Sequence, residues 1–259
     1  MPSRLPRVSK SAYHLKGTGP QVLLFHGLTG SPYDLRPLAN SLHARGASVQ
    51  VPLLKGHGTK IEDLRAVSAQ NWLDQGRSLL KKCDQDRPII LGGLSMGALI
   101  AIVLAHEAKR VNALLLISPA LKLDITAELS ISLANLGLIP KEIHFKKLSG
   151  GSDILDPEAK RKCPSYPEMS LFGMMQLDIL RTMALDSIAD LPMPTFLAFG
   201  DQDQAIDARA SWQIFIQQTK QGLFSKFYSQ SKHIVSLDFD RDLLGADVYH
   251  FLNQQIPGF

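Results

Sequence analysis

Ile89-Ile90-Leu91-Gly92-Gly93-Leu94-Ser95-Met96-Gly97-Ala98-Leu99-Ile100-Ala101 is the stretch that decides how the rest of the chain is read. Pro88 introduces an apolar run of strand length, a glycine-rich turn follows, and an Ala/Leu/Ile-rich stretch without helix breakers continues to about His106. The turn holds Gly93-Leu94-Ser95-Met96-Gly97, a Gly-x-Ser-x-Gly. A strand that turns straight into a helix strains the residue at its apex and pushes that side chain out above the sheet. A Cβ two residues before or after the apex would collide with the neighbouring strand and helix. Ser95 then stands at the positive end of a helix dipole, and the Met96 amide can donate to a developing oxyanion.

Outward from this turn, apolar runs alternate with helical patterns. Tyr13-His14-Leu15 reads as a short edge strand and Gln21 to Phe25 as a doubly covered strand ending in His26-Gly27-Leu28-Thr29-Gly30. Ser31-Pro32-Tyr33-Asp34 has the marks of a helix start, with Ser31 as cap and Asp34 three residues later. That helix runs through Leu35, Leu38 and Leu42 and stops near Gly46. A strand over Ala47–Val51, the loop Lys55-Gly56-His57-Gly58-Thr59 and a helix over about Ser68–Lys82 follow. Beyond the central turn, Val111 to Ile117 is another apolar strand. The alternation predicts a mostly parallel sheet wound on both faces. It breaks from Leu121 to about Leu191, where a Gly150-Gly151-Ser152-Asp153 turn and several prolines separate two apolar patches, Leu129–Leu138 and Met169–Met183. It resumes with a strand over Thr195–Phe199, a helix over Ala208–Thr219, a strand over Leu223–Ser229 and a closing helix over Asp240–Gln255. The expected organisation is a core of residues 1–120 and 192–259 carrying an inserted cap of residues 121–191.

At 259 residues and 45% apolar content the chain can bury a core of this size. The net charge of +4 is dispersed, with no basic run longer than Lys160-Arg161-Lys162, so a nucleic-acid partner is not expected. Met1 to Lys16 carries Arg4, Arg7 and Lys10 without an apolar stretch behind them, so neither a signal peptide nor an integral membrane segment is expected. Cys83 and Cys163 read as free thiols in a reducing compartment, with the cytoplasm as the default location.

A serine hydroxyl needs a base at neutral pH, and the base needs an orienting carboxylate. In open parallel sheets the functional groups come from loops at the carboxyl ends of strands. Among the eight histidines, His233 follows the last strand directly. His14, His43, His106, His144 and His250 fall on element bodies or in the cap, and His57 suits a loop-positioning role. The loop after Phe199 offers Asp201 and Asp203, while Asp207 suits the cap of the next helix. A second oxyanion donor should come from the His26-Gly27-Leu28 loop, through the Leu28 amide, with His26 bracing that loop.

His26-Gly27-Leu28-Thr29-Gly30-Ser31, Lys55-Gly56-His57-Gly58, the Gly-x-Ser-x-Gly, Gly200 to Ile206 and Ser231-Lys232-His233 together resemble the α/β-hydrolase superfamily. Within it they look like the bacterial carboxylesterases and monoacylglycerol lipases with small caps. The resemblance implies the α/β-hydrolase fold and selects Asp203 over Asp201 from the Gly-x-x-Asp-x-x-Ile pattern, giving the chain order Ser95, Asp203, His233. It also implies oxyanion donors at Leu28 and Met96 and hydrolysis of short- to medium-chain acyl esters or monoacylglycerols through an acyl-enzyme, with no cofactor. Leu28 stands where the family usually has an aromatic residue, and Ala98 where it often has a second glycine. Met169, Phe172, Met175 and Leu177 are the expected acyl-chain contacts, although the same helix could instead pack its stripe on the body. A thioesterase, a carbon–carbon bond hydrolase and a non-catalytic receptor on the same scaffold are the alternatives. His106-Glu107 lacks the second histidine of a zinc motif, and Gly27-Leu28-Thr29-Gly30 is not a dinucleotide fingerprint.

Overall fold

The computed structural model describes residues 9–108, 110–147, 151–220, 222–256 and 259. Arg4, Arg7 and Gly150 lie outside the described residues.

The elements in chain order are β1 (Tyr13–Leu15), β2 (Gln21–Phe25), α1 (Arg36–His43), β3 (Ser48–Val51), α2 (Ala69–Leu80), β4 (Ile89–Leu94), α3 (Met96–Glu107) and β5 (Ala113–Ile117). After these come α4 (Ile125–Asn135), β6 (His144–Lys146), α5 (Pro157–Lys162), β7 (Glu168–Ser170) and α6 (Leu171–Ser187). The chain closes with β8 (Thr195–Gly200), α7 (Ala208–Gln218), β9 (Leu223–Tyr228) and α8 (Arg241–Gln255). Seven strands form one sheet in the order β1-β3-β2-β4-β5-β8-β9. Only β1 runs antiparallel to its neighbour, β3.

Side chains alternate across a strand, and here both sets are apolar. Leu23, Phe25, Leu91, Leu114, Leu116, Leu197 and Phe199 join the core shared with α2, α3 and α6. Val22, Leu24, Ile90, Leu115, Ile117, Phe196 and Ala198 join the core shared with α1 and α8. Because parallel strands are covered on both faces, they read as unbroken apolar runs in the sequence. Each fully buried Leu or Phe contributes roughly 1.5–3 kcal/mol through removal from water. Helix α3 is buried from Met96 to Ala105 because it lies between the sheet, α2 and α6, as an all-round apolar helix must.

Four local expectations are corrected. Residues Pro32–Leu35 form a 3₁₀ turn and the α-helix begins at Arg36, where Pro37 fits the first turn without an N–H to leave unpaired. The cap is the expected Ser31 with Asp34 three residues later, but it closes the 3₁₀ turn and not the α-helix. The Asp34 carboxylate accepts the Ser31 N–H at 3.1 Å, while Ser31 Oγ is buried without a partner. Helix α4 starts four residues before the expected patch because Asp124 caps it, accepting from the Thr126 and Ala127 amides at 2.8 and 3.0 Å. Met169 belongs to β7, which pairs with β6 in a two-stranded antiparallel ribbon too short to show periodicity. Helix α6 then begins at Leu171, with Ser170 Oγ accepting the Gly173 N–H at 3.2 Å. It buries Leu171, Leu177, Leu180 and Ala184 in the core and packs on α3. Among the described residues no helix is long and apolar enough to cross a membrane.

Candidate active site

Ser95 sits at the junction of β4 and α3 with φ 55° and ψ −114°, a left-handed backbone that a side-chain-bearing residue adopts at a cost of about 1–3 kcal/mol. The surroundings hold it there. Its N–H donates to the Ile117 carbonyl at 2.8 Å, and its own carbonyl accepts the first helical amide, of Ala98, at 3.1 Å. The two flanking glycines have the steric reason expected of them. A Cβ at Gly93 would strike the backbone of Gly97 and Ala98, and one at Gly97 would strike the Phe25 carbonyl of the adjacent strand.

β8 and β9 end on the same edge of the sheet as β4, and the loops after them meet. A Cβ at Gly200 would collide with the Ser231 and Lys232 carbonyls, so glycine lets the two loops touch. His233 Nδ1 and Asp203 Oδ2 are 2.8 Å apart, with the carboxylate side chain wholly shielded from solvent. The other Asp203 oxygen accepts the Ala205 and Ile206 amides at 2.8 and 3.1 Å, which fixes its plane. Asp201 turns away and pairs with Arg209. Burial alone would push the His233 imidazole down, but the charge and hydrogen bond of Asp203, helped by Asp153, carry it above its ordinary value. With Nδ1–H donating to Asp203, Nε2 is left as the acceptor.

Three groups that hold this histidine were not read from the sequence. Ser118 Oγ donates to the His233 carbonyl at 2.9 Å, from a residue with φ 42° at the end of β5. Asp153 Oδ2 accepts the His233 amide at 3.4 Å, and the Asp153 carbonyl accepts the Ile234 amide at 3.2 Å. Asp238, fully buried, accepts the Lys232, Leu155 and Asp156 amides, tying the histidine loop to the stretch that leads into α5. Ser118-Pro119 at a strand end was a visible cue; the two aspartates had none.

The loop after β2 is fixed through His26. The Leu54 N–H donates to His26 Nε2 at 3.1 Å, so the proton must reside on Nδ1, which lies 3.0 Å from the Gly27 carbonyl. Burial, reinforced by His57, holds His26 well below its ordinary value, and it stays neutral. The Gly30 N–H reaches the same Gly27 carbonyl at 3.1 Å. That carbonyl and the Leu28 N–H belong to one planar peptide group, so gripping the oxygen aims the amide in the opposite direction. Among the described residues no protein acceptor takes the Leu28 or the Met96 amide.

Ser95, His233 and Leu28 line one cavity of about 680 Å³. Its lining includes apolar side chains, among them Leu123, Ala127, Met174 and Leu177, and polar ones, among them Asp34, Lys147, Ser152 and Ser165. Ser95 Oγ and the imidazole are not hydrogen-bonded to each other; catalytic hydrogen bonds of this kind tighten when substrate is bound. Of the expected acyl contacts, Met169 and Leu177 line the cavity, whereas Phe172 and Met175 do not. Helical phase is the reason. From Leu171 onward the cavity side of α6 carries positions 174 and 177, three apart, so Met174 takes the place foreseen for its neighbours. Phe172 lies under the Lys141 ammonium, and Met175 packs on the core. Among the described residues no three His, Cys, Asp or Glu side chains group as they would around a metal ion.

Residues 18–240 match the family described as serine aminopeptidase, S33. The chain belongs to this family of α/β-hydrolases. A thermostable monoacylglycerol lipase of Bacillus sp. (strain H-257) is 28% identical over 228 residues, covering 86% of each chain. A carboxylesterase of Bacillus subtilis (strain 168) is 27% identical over 250 residues, covering 95% of this chain and 98% of its own. A solved structure of a metagenome-derived lipolytic enzyme superposes with a TM-score of 0.82 at 23% identity, covering 95% of this chain and 98% of the other. The α/β-hydrolase fold of this S33 member and its standing as a hydrolase rest on these matches.

Proposed function

We propose that the protein hydrolyses carboxylic esters through an acyl-enzyme on Ser95. The observation that carries this reading is the shielded Asp203–His233 hydrogen bond, with that imidazole and a strained serine lining one part-apolar cavity. In this mechanism His233 Nε2 takes the Ser95 proton as Oγ attacks the ester carbonyl. Asp203 holds the imidazole in the needed tautomer and stabilises the imidazolium. The amides of Leu28 and Met96 receive the oxyanion. The His233 imidazolium protonates the departing alcohol, then the neutral ring activates water to release the acid and restore Ser95.

The apolar lining residues Leu123, Ala127, Met174 and Leu177 suit an acyl chain, and the polar lining residues suit the hydroxyl-bearing alcohol of a monoacylglycerol. We read residues 121–191 as a cap, because α4, Phe145, Lys147 and Met174 supply one side of the cavity. The free thiols Cys83 and Cys163 fit a reducing cytoplasm.

A chain-length series of p-nitrophenyl esters, 1-monoacylglycerols and matched thioesters tests the reading. Turnover should peak at short to medium acyl lengths, favour oxygen esters, and fall by at least a thousandfold in Ser95→Ala. A preference for thioesters across the series would replace the ester reading.

A further inference from the structure

We propose that Tyr166, in the inserted segment, is a positioning residue for the oxyanion site; this rests on the reading that the Leu28 amide binds the oxyanion. Tyr166 lies on the stretch between α5 and β7 and is buried. It reaches two loops at once. Its backbone N–H donates to the Thr29 carbonyl at 3.0 Å. Its hydroxyl donates to the Gly56 carbonyl at 3.0 Å and accepts the Thr59 N–H at 3.2 Å.

Thr29 follows Leu28 directly and has φ 66°. A β-branched residue in the left-handed region is strained and keeps that conformation only where its surroundings enforce it. The Tyr166 amide is one such enforcement, applied one residue from the proposed donor. The second contact acts through the 54–59 loop. Tyr166 stacks on His57 with ring centroids 6.4 Å apart and planes 11° from parallel, and His57 meets His26 edge-on at 4.8 Å. Burial pushes His57 down to about 4, so two neutral rings stand between Tyr166 and the Gly27 peptide. The same loop presents the Leu54 N–H that fixes the His26 tautomer. One tyrosine thus clamps both the strained turn beside the Leu28 amide and the support behind it. Tyr166 is absent from the residues that line the cavity, so its effect is transmitted and not direct.

The test is Tyr166→Phe, which keeps the ring and the backbone amide and removes only the hydroxyl. Active sites are counted by titration with a fluorophosphonate, so misfolded protein drops out of the comparison, and thermal melting reports on the fold. For p-nitrophenyl butyrate, kcat per titrated site should fall ten- to a hundredfold with KM within about twofold, since an oxyanion donor acts in the transition state. Inhibition by an alkyl boronic acid, whose tetrahedral serine adduct uses the same donors, should weaken by a similar factor. The pH midpoint of kcat/KM should not move, because the His233–Asp203 pair is untouched. An unchanged kcat, a change confined to KM, or a lower kcat with undiminished boronate affinity would each overturn the proposal. Failure of the unaltered protein to turn over any ester would instead remove the functional reading beneath it.

Discussion

At the scale of single residues, the two aspartates of the loop after β8 separate by what they touch. Asp203 meets His233 at 2.8 Å in a shielded setting, whereas Asp201 pairs with Arg209 at the surface. In a steady-state assay with a p-nitrophenyl ester, Asp203→Asn should lower kcat by about 10³–10⁴-fold. Asp201→Asn should stay within a fewfold; the reverse order would refute the assignment. The pH dependence has a definite sign. As the proposed base, His233 would work only when neutral, and Asp203 holds it above its ordinary value, so kcat/KM should fall as pH drops through that raised midpoint. Asp203→Asn removes the largest raising influence, and the residual activity should persist to lower pH. Ser95 stands out through the backbone crowding of its turn and His233 through its place after a late strand, whereas only the family resemblance separates Asp203 from Asp201. Asp153 and Tyr166 carry no such signal, since their roles arise from contacts between segments that no local pattern encodes.

Among the elements, the strand–turn–helix of β4 and α3 tolerates the least change. A Cβ at Gly97 would meet the Phe25 carbonyl, and a backbone oxygen in the sheet cannot move aside as a side chain can. Gly97→Ala should therefore lower Tm or prevent soluble expression, as read by differential scanning fluorimetry, and leave little activity in whatever folds. A fully stable and active Gly97→Ala protein would show that the turn is looser than described. Doubly covered strands and capped helices were readable from apolar runs and cap residues, within a few positions of their observed ends. The β6–β7 ribbon was not, because three-residue strands carry no period. The facing of α6 is hard to read for a related reason. A helix apolar on several sides does not declare which side meets the cavity, so Phe172 and Met175 were indistinguishable from Met174 until the helix phase was known.

For the whole molecule, stability and function meet at Asp34. This carboxyl is buried against the inserted segment, accepting the Ser31 amide and contacting the Cys163 thiol, and burial raises it from 3.8 to about 6. A carboxyl raised on folding contributes stability that is fully present below its unfolded value, near 3.8, and is lost as pH rises through about 6. At about 1.4 kcal/mol per pH unit, the loss is on the order of 3 kcal/mol above that window. Asp34→Asn keeps an acceptor for Ser31 and removes the charge, so denaturation at pH 8 should show a gain over the unaltered protein that vanishes near pH 4. Equal destabilisation at both pH values would mean that the ionised carboxylate is needed for the fold. The sheet and both of its helix layers follow from the alternation of apolar segments, while the placement of Leu155 and Asp156 against the histidine loop depends on the long-range contacts of Asp238.

The central claim is that Ser95 is the nucleophile. Reaction with a fluorophosphonate, followed by proteolysis and mass spectrometric mapping, tests it most directly. The account predicts one adduct, on Ser95, formed in parallel with loss of ester turnover and absent from Ser95→Ala. An adduct on another residue, or turnover that survives either full Ser95 modification or Ser95→Ala, would contradict it.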